Sequence, residues 1–92
     1  MAYSLRFKRG ADGELARLPR RGQLAFGRAF DLLVRNPTGW DPELNLRPVV
    51  GRSGLWRLAV GRWRAFYRVD GDLIRIVAFR HRASAYHELK GF

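Results

Sequence analysis

Four arginines, Arg57, Arg64, Arg68 and Arg75, recur where large apolar residues fill the alternate positions of "LWRLAVGRWRAFYRVDGDLIRIVAF". Guanidinium is planar, forked and permanently charged, so several of them on one surface would grip phosphate oxygens in bidentate fashion. Directly beyond come Arg80, His81, Arg82 and Tyr86 in "FRHRASAYHELK". Arginine can stabilise the pentavalent phosphate of RNA strand cleavage, and histidine or tyrosine can exchange protons with a ribose hydroxyl or a leaving oxygen. Such a set needs no metal and no other cofactor. The chain has no cysteine, hence no disulfide, thiolate metal site or cysteine nucleophile. His81 and His87 are too few for a histidine metal cluster.

The elements that must position these groups can be read from the same stretch. Leu55 to Val60 and Trp63 to Val69 flank Gly61-Arg62, and the second run pairs with Leu73 to Phe79 or Arg80 across Asp70-Gly71, a strong hairpin signal. With two-residue loops at both turns, Trp56 faces Tyr67, Arg57 faces Phe66, Leu58 faces Ala65, Ala59 faces Arg64, Tyr67 faces Ile74 and Phe66 faces Arg75. Alternation then sends Trp56, Leu58, Val60, Trp63, Ala65, Tyr67, Val69, Ile74, Ile76 and Ala78 to one face, the expected core. The other face collects Arg57, Ala59, Arg64, Phe66, Arg68, Arg75 and Val77. An antiparallel sheet commonly has one solvated face, and arginine stems shield apolar surface well. A merely solvated face, however, interleaves both signs of charge, and this one has no acid. Four like charges around one exposed aromatic point to a polyanion, with Phe66 expected to stack on a base. Strict alternation turns Arg80 to the core side, so it joins the basic face only if the strand ends or twists there.

Upstream, "YSLRF" (Tyr3 to Phe7) alternates as a first strand. Asp12 is expected to cap a short helix running to about Leu18, which Pro19 ends. In "RGQLAFGRAFDLLVRNP", Phe26, Ala29, Phe30 and Leu33 form one helical stripe ending before Asn36-Pro37. The short connection makes the two helices an antiparallel hairpin that covers the apolar sheet face. Thr38 to Gly54 reads as a structured loop with a strand fragment at Arg47 to Val50.

The chain of 92 residues, 47% hydrophobic, makes one domain with one modest core. Its formal charge of +10 is extreme and implies a polyanionic partner such as nucleic acid or a ribosome, or an acidic protein. The excess is lopsided: Met1 to Leu46 is net +3 and Arg47 to Phe92 net +7. All the cations but Lys8 and Lys90 are arginine, a bias that a GC-rich genome would also produce. No export signal or membrane-spanning run is evident, so the expected compartment is the cytoplasm and no membrane partner is expected.

The combination of tryptophan-arginine-leucine, a glycine turn, aromatic-arginine, tyrosine-arginine-valine, an Asp-Gly hairpin and His81-Arg82 ahead of Tyr86 resembles the core signature of the RelE/ParE toxin superfamily. The strand, helical hairpin and "NP" ending upstream follow the family's order, so the resemblance covers nearly the whole chain. It implies an α+β fold over residues 1–92: an N-terminal strand and an antiparallel helical hairpin packed on a twisted antiparallel β-sheet, RelE-like or microbial-ribonuclease-like. It also implies the toxin of a type II toxin-antitoxin pair, neutralised by a cognate antitoxin that wraps it. RelE-like members are ribosome-dependent endoribonucleases, or mRNA interferases, that cut mRNA by 2′-hydroxyl attack. On that resemblance Arg57, Arg64, Arg80 and Tyr86 fall at positions that hold the phosphate and activate the 2′-hydroxyl, and His81 and Arg82 match the histidine-arginine pair of the wider family. Arg68, Arg75 and Phe66 would add RNA contacts. Ala59 stands where some RelE-like enzymes carry a second lysine, and Arg57 does not readily give up a proton, which leaves the base to His81 or Tyr86. ParE-like members share the fold but act on DNA gyrase. A non-catalytic RNA-binding module is a third reading.

Overall fold

A computed structural model describes residues 2–84. The order is β1 (Ser4–Phe7), α1 (Ala11–Ala16), α2 (Arg20–Leu33), β2 (Asn45–Pro48), β3 (Leu55–Val60), β4 (Trp63–Asp70) and β5 (Leu73–His81). The strands form one five-stranded sheet in the order β1-β5-β4-β3-β2. The β2 to β5 run is an antiparallel meander, whereas β1 joins β5 in parallel, with Arg6 opposite Arg75. The sheet is therefore mixed, because β1 reaches it through the helical hairpin and not through a tight turn.

The α1 helix begins after Gly10, whose φ of 92° suits glycine, and has no side-chain cap. Asp12, expected as the cap, lies inside the first turn instead. Pro19 caps the start of α2, where its fixed φ and missing N–H cost nothing. Gln23 ties the hairpin by donating to the carbonyls of Ala16 (3.0 Å) and Leu18 (2.9 Å), two acceptors the short helix leaves unpaired. Phe26, Ala29 and Leu33 are buried, as the stripe predicts.

The core lies between this hairpin and one sheet face, with Phe26, Leu33, Leu58, Ala65, Tyr67, Ile74, Ile76 and Phe79 at its centre. Phe26 and Phe79 meet edge to face at 5.1 Å, and Phe7 and Phe30 extend the aromatic cluster. Tyr67 is fully buried yet satisfied, since its hydroxyl donates to the Pro37 carbonyl at 2.6 Å. That bond ties the sheet to the end of α2. Burial pushes the phenol well above its ordinary value. No helix among the described residues is long and apolar enough to cross a membrane.

The β3–β4 register is the expected one, with Trp56 opposite Tyr67 and Arg57 opposite Phe66. The β4–β5 register is not. Asp70 pairs with Leu73, so the loop is Gly71-Asp72, and Tyr67 faces Ile76 instead of Ile74. Gly71, at φ 61°, fills the first loop position, where a positive φ is needed. A bulge follows between Phe66 and Tyr67, beyond which Phe66 faces Ala78 instead of Arg75. Val77 is the extra residue of β5. The bulge reverses the alternation: Ala78 leaves the core face, Phe79 takes its place among the aromatics, and Arg80 turns to the opposite side.

Candidate nucleic-acid interface

The sheet face away from the helices carries arginines in three rungs. Arg6, Arg75 and Arg68 lie directly abreast on β1, β5 and β4. Arg47 faces Arg57 across β2 and β3. Arg64 faces Arg80 across β4 and β5, which the bulge alone makes possible. Like charges directly opposite one another on a sheet are destabilising, and two unit charges about 4 Å apart repel by about 1 kcal/mol even in water. The fold repeats this arrangement in every rung and so concentrates positive charge on one face.

Beneath the rungs lies a second apolar cluster of Val49, Leu55, Phe66, Val77 and Ala78. Phe66 is 0% exposed, which corrects the expectation of an exposed stacking aromatic. Its ring is the floor of the face, roofed where Val49 folds over from the loop after β2. Only alternation had been available to place it, and alternation cannot see a loop closing over a sheet.

Several guanidinium groups are held in place by oxygens that leave their charge intact. Arg57 Nη2 donates to Asn45 Oδ1 at 2.7 Å, and Arg57 Nε is buried with no hydrogen-bond acceptor among the described residues. Arg64 Nη1 donates to the carbonyls of Gly61 and Trp63, both at 2.9 Å. Arg68 Nη1 donates to the Ser53 carbonyl at 2.9 Å. Such tethers fix rotamers that would otherwise lose entropy on binding.

Arg80 differs, because Glu14 of α1 pairs with it at 2.7 Å and also accepts the Phe79 N–H at 3.1 Å. The reason lies in the edge of the sheet. Pairing between β1 and β5 ends at Phe7 and Ile76, so on the side away from β4 the next stretch of β5 has no neighbouring strand among the described residues. The Glu14 carboxylate stands in for that missing strand, and in doing so orients Arg80.

The remaining expected residues fall elsewhere. His81 faces Trp63 on the helix side of the sheet, ring centroids 5.2 Å apart and nearly perpendicular, and its Nδ1 accepts the Ala83 N–H at 3.1 Å. The expectation that His81 shares a site with Arg64 and Arg80 is therefore corrected: it points the other way. Arg82 is exposed just beyond β5. Tyr86 lies outside the described residues. Arg6, Arg47 and Glu14 are the groups the sequence reading missed. Arg6 was visible as a polar position in "YSLRF", but its partner depends on the parallel pairing of β1. Among the described residues no three potential metal ligands cluster.

The family described as "ParE toxin of type II toxin-antitoxin system, parDE" matches residues 5–86. Among solved structures, the RelBE2 toxin-antitoxin complex of Mycobacterium tuberculosis is similar at 29% identity and a TM-score of 0.71, over 89% of this chain and 100% of that one. The archaeal RelE-RelB complex of Pyrococcus horikoshii is similar at 22% identity and TM-score 0.74, over 89% of this chain and 97% of that one. An E. coli RelE mutant in the free state is similar at 16% identity and TM-score 0.75, over 95% and 90%. No curated protein sequence matches.

Proposed function

The chain belongs to the ParE toxin family and is a toxin of a type II toxin-antitoxin system, and from that premise we propose that it is a RelE-like, ribosome-dependent mRNA endoribonuclease. The observation that carries this reading is the set of facing arginine rungs, above all Arg64 beside Arg80. Two guanidinium groups side by side can bracket one phosphate and take up the charge that builds on its oxygens as the attacking ribose oxygen adds. Arg57, one rung along, positions the backbone. The ribose 2′-oxygen bonds to phosphorus, its proton is removed, the bond to the 5′-oxygen breaks, and that oxygen takes up a proton. The products are a 2′,3′-cyclic phosphate and a 5′-hydroxyl end. Proton transfer falls to Tyr86, since His81 is engaged on the other side of the sheet. No metal is required by this chemistry.

The similarity to the RelE-RelB and RelBE2 complexes supports a cognate antitoxin as the cellular partner; the ribosome and mRNA are the targets that the nuclease reading proposes. A cytoplasmic location follows from those targets. One observation favours a second reading: among the described residues the basic face carries no histidine, since His81 packs on Trp63 at the other side of the sheet, which suits a toxin that poisons DNA gyrase by binding alone. Purified protein added to programmed ribosomes, with the mRNA 5′ ends mapped, separates the two. Site-specific cuts that disappear with Arg64→Ala support the nuclease. Intact mRNA together with arrested DNA supercoiling selects the gyrase poison.

A further inference from the structure

Resting on the nuclease reading, we infer that the Arg6, Arg75 and Arg68 rung is a second phosphate-binding subsite, which grips the RNA backbone away from the bond that is cut. Arg64 and Arg68 are four positions apart on β4, about 13 Å at roughly 3.3 Å per residue. Side chains stand nearly perpendicular to a sheet, so the two rungs hold different phosphates of one strand.

Three features make this rung a binding element and not a leftover of charge. It is the longest of the three, with three arginines abreast on three adjacent strands. None of the three pairs with an acid among the described residues, although Asp70 and Asp72 lie in the adjoining turn. Arg68 is tethered to Ser53, while Arg6 and Arg75 are exposed, so the rung combines one fixed fork with two that can close on a phosphate. The floor between the rungs is the buried Phe66 cluster, which offers no exposed ring to a base. The subsite therefore reads backbone and not sequence.

The test is binding of cleavage-resistant 2′-O-methyl RNA, a hexanucleotide against a dinucleotide, to the wild-type protein and to an Arg6→Gln/Arg75→Gln variant, across salt concentrations. Both substitutions are at exposed positions, and thermal denaturation verifies that the variant is folded. The variant is expected to bind the hexanucleotide about tenfold more weakly, with a log-log salt slope shallower by about 1.4 for two lost phosphate contacts. Its dinucleotide affinity stays within twofold of wild type. An Arg6→Lys/Arg75→Lys variant keeps the slope. An unchanged hexanucleotide slope overturns the inference, and so does an equal loss on both lengths, because the rung would then not be a separate subsite. Loss of binding to an acidic protein partner with RNA binding intact overturns it in favour of a protein-docking role. These results leave the nuclease reading standing if wild type cuts mRNA on the ribosome; failure of wild type to cut sinks that reading first.

Discussion

Replacing Phe66 separates a core role from a recognition role. The ring sits at 0% exposure among Val49 at 8%, Leu55 at 1%, Val77 at 8% and Ala78 at 0%. Cutting a buried phenylalanine to alanine costs about 3–5 kcal/mol. This cluster is small and one loop thick on its outer side, so we expect the lower end, about 3 kcal/mol. A domain of this length holds about 5–14 kcal/mol in total, and 3 kcal/mol translates to a fall in Tm of about 12–24 °C. Phe66→Leu keeps most of the apolar volume and should cost about 1.5 kcal/mol or less. The assay is thermal denaturation followed by circular dichroism, paired with RNA affinity at a temperature where each variant is folded. Phe66→Leu should bind RNA within about twofold of wild type. A stacked base is worth about 1–3 kcal/mol, so a folded Phe66→Leu protein that has lost tenfold or more in RNA affinity would show the ring reaching a base and refute the buried-floor argument.

Other expectations follow from single contacts. Tyr67→Phe strands the Pro37 carbonyl and should cost about 1–3 kcal/mol in urea denaturation. Its pH dependence has a definite sign: burial raises the folded-state value of Tyr67, so above about pH 10 the unfolded chain sheds that proton first and stability falls by up to about 1.4 kcal/mol per pH unit. That alkaline loss should shrink in Tyr67→Phe, and an unchanged profile would contradict the assignment. Glu14→Ala removes the partner of both Arg80 and the Phe79 N–H; it should lower stability by about 1.5–3 kcal/mol and mRNA cleavage by tenfold or more, with Glu14→Gln intermediate in both. His81→Phe keeps the packing on Trp63 and should leave cleavage within about threefold. A loss above a hundredfold, the scale of a missing proton carrier, would put the histidine back in the chemistry.

Most of the scaffold was legible because it is written in alternation and stripe. Phe26, Ala29 and Leu33 declared the buried side of α2, and the Gly61 turn fixed the β3–β4 register residue by residue. What failed was non-local. The Asp70-Gly71-Asp72 run admits more than one two-residue loop, and the choice depends on whether Asp70 can pair with Leu73. The bulge at Val77 has no glycine or proline to announce it, since its cause is the demand that Phe79 join Phe7, Phe26 and Phe30. The β2 strand lies at Asn45–Pro48 and not at Arg47 to Val50, because Val49 is recruited to the second cluster instead. The basic face was correctly located through Arg57, Arg64, Arg68 and Arg75, but its arrangement in rungs required the partners Arg6, Arg47 and Arg80, which only the assembled sheet supplies.

The bulge is the point at which stability and function are joined. Without the extra residue at Val77, alternation would bury Arg80 under the helices and send Phe79 out among the arginines, opposing both burial and charge. With it, one inserted residue seats Phe79 against Phe26 and sets Arg80 beside Arg64. Glu14 moderates the repulsion this creates, bonding to the β5 backbone and the Arg80 guanidinium together. The carboxylate engages Nη1 of a group that has five donors, so it can orient Arg80 while the arginine still meets a phosphate. Among the described residues the other two rungs pair with no acid. On the proposed nuclease reading, an RNA backbone laid across the rungs relieves their mutual repulsion.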